Sequence, residues 1–578
     1  MKNKTLNRIL KYLKKYKGYL FTVIFLAFIS NILLIIAPLY TGKAIDNIVS
    51  KGTVNFPAIL KIISFLAVVY CISAIFQWLL SIFTSIISNN TVKDLRQEAF
   101  DKINTLPLKY YDSHSHGDII SRLTNDIDAI SDGLLQGITQ LFSGVITLAG
   151  AFIFMLSLSP VITVVVIVIT PLCFLISSFI AKNSNKMFKE QSRTLGELNG
   201  YIEEIIGNQK LVKAFNHEKS SQETFREING RLYECGRMAQ FYSSLTNPST
   251  RFVNNISYVL SGIIGALLSI AGGFSIGKIS SFLIYSAQFS KPINDITSIA
   301  AQLQAALASA ERVFAILDET SESFESNDKV ELINCDGNVT FENAAFSYRK
   351  DNPLIENLNL NIKQGSTVAI VGPTGAGKTT LVNLLMRFYE IDNGKLLIDK
   401  VNTKEVKRES LRRSFGMVLQ ESWLFSGTVK DNIAYGKPEA SMEEIVEASK
   451  AAHAHSFIKK LSEGYDTLIT EDGENLSQGQ RQLITIARVM LMNPSMLILD
   501  EATSSIDTLT EARIQKAFLT LMKGRTSFVI AHRLSTIREA DLILVMNNGY
   551  IIEQGTHSEL LIKNGFYARL YNSQYANA

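Results

Sequence analysis

The chain divides into a half with long apolar stretches and a half with short ones. Six stretches of the first half are long enough to cross a bilayer, which takes about 20 residues per helix. They cover residues 19–40, 56–87, 134–158, 161–181, 253–273 and 279–301. In the second half, short β-branched runs precede amphipathic segments, as strands precede helices in an α/β domain. We therefore predict an all-α transmembrane domain of six helices followed by an α/β domain.

The segments between the stretches predict the topology. The turns after the third and fifth stretches, 157–160 and 272–277, are short, whereas the segments after the second and fourth are long, helical in pattern and basic. Basic segments stay in the cytoplasm. We expect a multi-pass protein of the inner (cytoplasmic) membrane with both termini in the cytoplasm. The basic, amphipathic start of the chain is expected to lie along the inner membrane surface.

Composition adds little to this picture. The net charge is only +4, and the basic residues cluster beside the apolar stretches, so nothing indicates a nucleic-acid partner. The cysteines, at positions 71, 173, 235 and 335, have no paired spacing. We interpret them as reduced, with neither a disulfide framework nor a metal site. His114 and His116 have no third convergent ligand in the sequence, so we interpret them as surface residues.

Several polar residues lie in or near the last two apolar stretches. They are Arg251, Asn254, Asn255, Gln288, Lys291, Asn294 and Asp295. A charge that faces lipid costs several kcal/mol, so these groups either line a water-filled translocation pathway or lie where the helices protrude into the cytosol. The sequence leaves both interpretations open. Pro292 is a candidate kink in the sixth stretch.

A polar segment marks the boundary between the two halves. We predict a transmembrane domain over residues 1–318, a linker over 319–335 and a nucleotide-binding domain over 336–578. Residues 319–329 are rich in Glu, Ser, Asn and Asp, which is a linker composition.

The strongest motif of the second half is a phosphate-binding loop. It consists of Gly372, Pro373, Thr374, Gly375, Ala376, Gly377, Lys378, Thr379 and Thr380. In such a loop backbone N–H groups wrap the phosphates of a nucleoside triphosphate, the lysine reaches the β and γ oxygens, and the hydroxyl after it binds Mg²⁺. A chance glycine-rich turn is disfavoured because a β-branched run precedes the loop and an apolar-periodic segment follows it.

Two further patterns fit a nucleotide enzyme. The apolar run 496–499 ends in Asp500 and Glu501, which suits a Mg²⁺-holding acid followed by a general base. Ser477, Gly479 and Gln480 belong to a turn that opens a helix, and a helix N-terminus is a second anion-binding surface. Tyr348 is a candidate for stacking on adenine, although a lone aromatic is more often part of a core.

Together these motifs identify a resemblance. The phosphate loop, Gln420 after an apolar strand, the LSQGQ signature, the acid-terminated strand, the Ser504–Asp507 segment and His532 follow one another as in an ABC transporter ATPase. With six spans ahead of it, the chain resembles a bacterial half-transporter of the ABC exporter family, of the multidrug and lipid-exporting type.

The resemblance implies a role for each matching residue. Tyr348 stacks on adenine, the loop residues bind the phosphates, and Thr379, Gln420 and Asp500 hold Mg²⁺. Glu501 is the general base, with His532, Gln420 and Lys378 at the γ-phosphate. Ser477, Gly479 and Gln480 bind the ATP of a second subunit, and Asp507 lies at the subunit boundary. Glu471 and Glu474 match an acidic cross-linking loop, and the turns 110–118 and 203–215 match coupling helices.

The implied function is an ATP hydrolase coupled to transport. We expect ATP-driven export of hydrophobic or amphipathic compounds by alternating access, with membrane lipids and a second half-transporter as partners. A lipid flippase is the alternative, and an ATP-regulated channel or receptor a less favoured one. The sequence leaves the substrate open, and it leaves open whether the dimer is a homodimer or a heterodimer.

Overall fold

The computed structural model describes residues 2–48, 54–322, 329–333, 335–349, 353–419, 422–470, 473, 475–500, 506–531 and 534–574. It excludes the side chains of residues 2, 3, 138, 141, 173, 174, 177, 293–298, 300, 301, 535 and 574. The chain forms two units. The first comprises Met1–Leu106 and His114–Glu319, and the second comprises Pro107–Ser113 and Thr320–Ala578.

The first unit is helical. Its helices are α1 (Lys2–Lys15), α2 (Lys17–Asp46), α3 (Phe56–Ile103), α5 (His116–Ser121), α6 (Ile127–Leu158), α7 (Pro160–Gly207), α8 (Gln209–Ala214), α9 (Glu218–Ile270) and α10 (Ile276–Asp318). Helix α4 (Leu108–Ser113) belongs to the second unit.

The six predicted stretches fall on six long helices of the described chain: α2, α3, α6, α7, α9 and α10. Over the described residues, four helical segments are long and apolar enough to cross a membrane, namely Lys17–Asp46, Phe56–Ile103, His116–Leu158 and Glu218–Ile270. Pro160–Leu172 of α7 is a shorter apolar helix. The helical class predicted for the first half is confirmed.

The predicted turns coincide with capped helix starts. Ser159 precedes α7 and accepts a hydrogen bond from the backbone of Ile162, with Pro160 at the first helical position. Ser275 caps α10 in the same way and donates to the Asp46 carboxylate at 2.8 Å. The other oxygen of Asp46 accepts the Gly277 N–H at 2.7 Å, so the end of α2 is fastened to the start of α10.

A π-helical turn, Arg122–Asp126, connects α5 to α6. Such a turn inserts an extra residue and re-aims the side chains around it. Asp126 is buried here and accepts two hydrogen bonds from the Arg312 guanidinium of α10, one of them a 2.8 Å bond from Nε. Burial opposes ionisation of Asp126, but its bonds to Arg312 and Ser309 lower its pKa below the usual value.

The second unit is an α/β domain. Its strands are β1 (Val339–Phe346), β2 (Ile355–Ile362), β3 (Thr367–Val371), β4 (Asn393–Ile398), β5 (Val401–Asn402), β6 (Phe415–Val418), β7 (Gly427–Thr428), β8 (Leu468–Ile469), β9 (Met496–Asp500), β10 (Thr526–Ile530), β11 (Leu542–Asn547) and β12 (Tyr550–Gly555). Its helices after α4 are α11 (Lys378–Leu385), α12 (Arg408–Arg413), α13 (Val429–Ala434), α14 (Met442–Ala451), α15 (His455–Ile458), α16 (Gln478–Met492), α17 (Thr508–Met522), α18 (Leu534–Glu539), α19 (His557–Ile562) and α20 (Phe566–Gln574).

Two main sheets organise this unit. An antiparallel sheet has the order β2-β1-β4-β5, and a second sheet has the order β12-β11-β3-β10-β9-β6, parallel except for β12. Strands β3, β9 and β10 are apolar and almost wholly buried, as expected for a parallel sheet covered on both faces. Ile530 pairs with both Ile370 and Asp500, so β3, β10 and β9 end at one level.

Candidate nucleotide site and membrane cavity

The phosphate loop connects β3 to α11, which begins at Lys378. Gly377 precedes the helix with φ of 97°, a left-handed conformation that favours glycine. A Cβ atom at Gly372 would lie 2.2 Å from the Met546 carbonyl oxygen, so only glycine fits there. The Ala376 carbonyl accepts the Gly549 N–H at 3.0 Å, which ties the loop to the turn after β11. These residues form the compact strand–loop–helix that an anion site requires.

Lys378 folds back over this loop. Its Nζ donates hydrogen bonds to the carbonyl oxygens of Gly372 at 2.7 Å and Pro373 at 3.0 Å. Burial lowers the pKa of Lys378, while the negative charge of Asp500 opposes that shift. The ammonium is thus held at the centre of the loop beside an acidic group.

The residues available to Mg²⁺ lie at the same edge of the sheet. Asp500 ends β9, and Thr379 lies in the first turn of α11, directly after the loop that follows β3. A hydroxyl and a carboxylate are the hard oxygen ligands that Mg²⁺ prefers, together with phosphate oxygens. As one hydroxyl and one carboxylate, these two side chains fit a metal whose other ligands are phosphates and water. Among the described residues, no cluster of three or more His, Cys, Asp or Glu exists.

Tyr348 follows β1 beside the start of α11. Its hydroxyl donates to Thr380 Oγ1 at 3.3 Å and accepts from Asn383 at 3.2 Å. Its ring packs edge-on against Phe346 and Tyr389, with centroid distances of 4.9 and 5.0 Å. Yet 40% of the residue is exposed, so Tyr348 is positioned by the core without being enclosed in it.

The signature residues open α16. The Ser477 hydroxyl accepts the Gln480 N–H at 3.3 Å, and the Gln480 side chain accepts the Ser477 N–H at 3.0 Å, a reciprocal capping box. Gly479 is buried against α17, where a Cβ atom would lie 2.4 Å from a methyl group of Thr510. Asp507 caps α17 by accepting the Thr510 N–H at 2.9 Å. The sequence analysis did not assign these local roles.

The other predicted site residues lie outside the described residues. They are Gln420, Glu501, His532, Glu471 and Glu474. The structure does define the strands β6, β9 and β10, which precede Gln420, Glu501 and His532 in the sequence. These three strands are parallel neighbours in one sheet.

A cavity of about 560 Å³ lies among α2, α3, α6 and α10 of the first unit. Gln288 and Lys291 line it, whereas Arg251, Asn254 and Asn255 do not. Its other polar lining residues are Asn31, Gln77, Gln140, Ser143 and Thr147, which the sequence analysis missed. Asn31 and Gln77 each lie inside a predicted apolar stretch, and a polar residue there is a signal that would have identified them.

Comparisons with known proteins fit this geometry. The sequence model of the ABC transporter transmembrane region matches residues 20–293, and a second model, described as ABC transporter, matches residues 355–504. The chain is 43% identical to the Bacillus subtilis ABC transporter ATP-binding protein YfiC over 571 residues, which cover 99% of this chain and 94% of that protein. The chain belongs to the ABC exporter family.

Two other relatives carry names that mention a substrate. The Mycobacterium tuberculosis fatty acid ABC transporter ATP-binding/permease protein is 44% identical over 524 residues, covering 91% of this chain and 83% of that protein. The Bacillus subtilis putative multidrug export protein YgaD is 34% identical over 577 residues, covering 99% of this chain and all of that protein.

A solved bacterial Atm1-family ABC exporter with ATP bound matches the fold. Its TM-score is 0.79 at 26% identity, covering 97% of this chain and 98% of that chain. The predicted fold class and the ATP-hydrolysing transport activity of this ABC exporter are thereby confirmed.

Proposed function

We propose that this ABC exporter is half of a dimeric pump that moves hydrophobic or amphipathic compounds out of the cytoplasm. The observation that carries this proposal is the cavity among α2, α3, α6 and α10. It combines apolar walls with a few polar groups inside helices of membrane-spanning length, and its volume of about 560 Å³ suits a small molecule. The relatives named for multidrug export and fatty acid transport support such a substrate class.

The nucleotide chemistry follows from the phosphate loop. ATP is the substrate, and its phosphates take the place of the loop carbonyls as partners of Lys378. Glu501 accepts the proton of the attacking water, and His532 contacts the γ-phosphate. Thr379, Gln420 and Asp500 hold Mg²⁺, which when bound neutralises developing negative charge. Tyr348 offers a partly exposed ring to adenine.

A second chain completes each ATP site. One chain carries one phosphate loop and one signature, and the resemblance pairs each loop with the signature of the partner. Contacts made only in the closed dimer let ATP shift the population towards closure, and loss of the γ-phosphate reverses that shift. The opening and closing drive the switch between inward-facing and outward-facing cavities.

The exposed face of α8 supports such a dimer. Leu211 is 58% exposed and Phe215, directly after α8, is 69% exposed. Trp423 and Tyr435 of the second unit are also more than half exposed. Contiguous exposed apolar patches mark interaction surfaces, and Leu211 and Phe215 are four residues apart at the end of one helix. We assign α8 of each chain to the aromatic surface around Trp423 on its partner.

The membrane orientation follows from charge. The long basic segments after the second and fourth stretches support a cytoplasmic location for the ATPase domain and both termini, where ATP is available. The membrane is therefore the cytoplasmic membrane.

Transport in reconstituted vesicles tests the proposal. Proteoliposomes with outward-facing ATPase domains should accumulate an amphipathic dye when supplied with ATP and Mg²⁺. Glu501→Gln should nearly abolish both accumulation and hydrolysis while ATP binding persists. Undiminished hydrolysis by Glu501→Gln would refute the assignment of the base, and ATP hydrolysis without accumulation of any amphiphile would refute the export function.

The lipid-flippase alternative is separated by a second substrate in the same vesicles. A head-group-labelled phospholipid that moves between leaflets with ATP, while the dye does not move, would favour the flippase. The mass and ATPase rate of the chain purified alone separate the two dimers. A hydrolysing dimer indicates a homodimer, whereas a monomer or an inactive dimer indicates a missing second half-transporter.

A further inference from the structure

Among the described residues that line the membrane cavity, Lys291 is the single cationic side chain. We propose that Lys291 binds the anionic head group of an amphiphile whose alkyl chain occupies the apolar part of the cavity. This inference rests on the proposed export function and specifies its substrate class. The shared chemistry is a carboxylate or phosphate monoanion attached to an apolar chain.

Three of the polar groups that line the cavity are already occupied by the protein. The Asn31 amide donates to the Ala27 carbonyl oxygen at 2.7 Å and to Ser143 Oγ at 3.2 Å. Its oxygen accepts the Thr147 hydroxyl at 3.0 Å. These groups satisfy one another, so they hold α2 against α6 and offer little to a ligand.

The polar groups on α10 are different. Gln288 lies one turn before Lys291, and its Oε1 is buried without a hydrogen-bond partner among the described residues. The amide of a glutamine presents either an acceptor or a donor by turning about its terminal torsion. Gln288 therefore has unused capacity for a polar head group beside the cation.

The charge of Lys291 is available to a ligand. No ion pair of Lys291 exists among the described side chains, and the side chain of Asp295, four residues later, lies outside them. Lys291 is exposed and lines the cavity, so its ammonium is open to a ligand there. A ligand anion is attracted to this ammonium, whereas a cationic ligand is repelled by it.

Apolar side chains form much of the remaining cavity lining. Leu34, Ile35, Val145, Leu148 and Ile299 line it together with Pro292. Apolar walls of this kind gain free energy by burying an alkyl chain. The cation of Lys291 and the aliphatic side chains of the lining together match a molecule with one charged end and one apolar end.

Equilibrium binding with matched probes tests the inference. Radiolabelled dodecanoate is bound to the full-length dimer in nanodiscs and displaced by dodecyl phosphate, dodecanol or dodecyltrimethylammonium, which share one chain length. We expect the two anions to compete at least about tenfold better than the alcohol, with the cation weakest. Lys291→Gln should remove this preference, and Lys291→Arg should retain it. Lys278→Gln is the matched control, because Lys278 lies on α10 outside the cavity lining.

The outcomes separate this inference from the proposed function. Better displacement by dodecanoate assigns the site to free fatty acids, and better displacement by dodecyl phosphate assigns it to lipid phosphates. Equal affinity for all four head groups, or unchanged dodecanoate affinity in Lys291→Gln, overturns the inference. If vesicles then still accumulate a neutral amphiphile with ATP, only the anionic substrate class fails. If they accumulate no amphiphile of any charge, the export function fails as well.

Discussion

The hydroxyl of Tyr389 donates a hydrogen bond to the carboxylate of Asp112 on α4. The ring of Tyr389 also packs edge-on against Tyr348, at a centroid distance of 5.0 Å and an interplanar angle of 83°. One side chain thus contacts both Tyr348, which we propose stacks on adenine, and the short helix α4, which overlaps the turn 110–118 that we propose as a coupling helix. Burial and the neighbouring Asp112 charge raise the pKa of Tyr389, so the phenol stays protonated and remains a donor at physiological pH.

Tyr389→Phe should weaken the link between substrate and ATP hydrolysis. The ring contact with Tyr348 persists in this variant, so ATP affinity should change little. The lost bond to a charged acceptor should lower substrate stimulation of the ATPase rate about threefold to tenfold. Stimulation is measured as the ratio of rates with and without transported substrate in nanodiscs.

Tyr550→Phe is the matched control for that experiment. Its hydroxyl donates to Glu356 at 2.6 Å elsewhere in the same unit, away from α4 and Tyr348. Equal losses of stimulation in the two variants would contradict a specific role for the Tyr389–Asp112 bond.

Lys378→Ala should abolish the response to nucleotide. Removing the cation deprives the phosphates of their main charged partner, so hydrolysis should fall about 100-fold or more. ATP and Mg²⁺ should raise the thermal unfolding temperature of the parent but not that of the variant. A ligand stabilises the folded state only when its concentration exceeds its dissociation constant, so a variant that binds ATP weakly gains no stability. Lys404→Ala is a suitable control because Lys404 likewise donates to a backbone carbonyl, that of Ile391 at 3.2 Å. A nucleotide-induced shift that survives in Lys378→Ala would refute its assignment.

The success of the sequence-based predictions depended on how local each signal was. The phosphate loop and the buried run ending at Asp500 were recognisable because their chemistry depends on adjacent residues. The helices of the first half followed from continuous apolar composition, and four of the six predicted stretches fall on helical segments of the described chain that are long and apolar enough to cross a membrane. The bond between Tyr389 and Asp112 was missed because the two residues are 277 positions apart and neither segment carries a signal for the other. The capping box of Ser477 and Gln480 was different, since its Ser-x-x-Gln spacing is a local signal that would have predicted it.

Ser477→Ala distinguishes the structural role of the Ser477 hydroxyl, which caps α16, from its proposed role in binding ATP. Ser477→Ala removes a capping bond and should lower stability by about 1 kcal/mol. If the hydroxyl also binds the partner's ATP, the ATPase rate should fall at least about tenfold at saturating nucleotide. The two effects are measured on the same sample by thermal unfolding and by phosphate release.

Ser441→Ala provides the comparison. Ser441 forms the same capping box with Glu444 at the start of α14, outside the signature. Both variants should lose similar stability, while only Ser477→Ala should lose ATPase activity. A rate for Ser477→Ala no lower than that for Ser441→Ala would limit Ser477 to its structural role.

The Asp126–Arg312 pair should make the stability of the helical unit depend on pH. The pKa of Asp126 is lowered in the folded state, so its contribution is complete above the ordinary aspartate pKa of about 4 and is lost as pH falls through the lowered value. Asp126→Asn removes the charge and should lower the free energy of unfolding by about 1–2 kcal/mol at pH 7. This value is in the lower part of the range for charged hydrogen bonds because the Arg312 side chain is half exposed. The difference between parent and variant should therefore shrink as the pH is lowered from 5 towards 3 in thermal unfolding experiments.

Asp128→Asn is the control, since Asp128 pairs with Arg96 on the surface at 2.9 Å, with both side chains about half exposed or more. Such an exposed pair contributes about 0–1 kcal/mol to the free energy of unfolding. If Asp128→Asn loses as much stability as Asp126→Asn, the Asp126–Arg312 pair at the π-helical turn has no special part in holding α10 against α6.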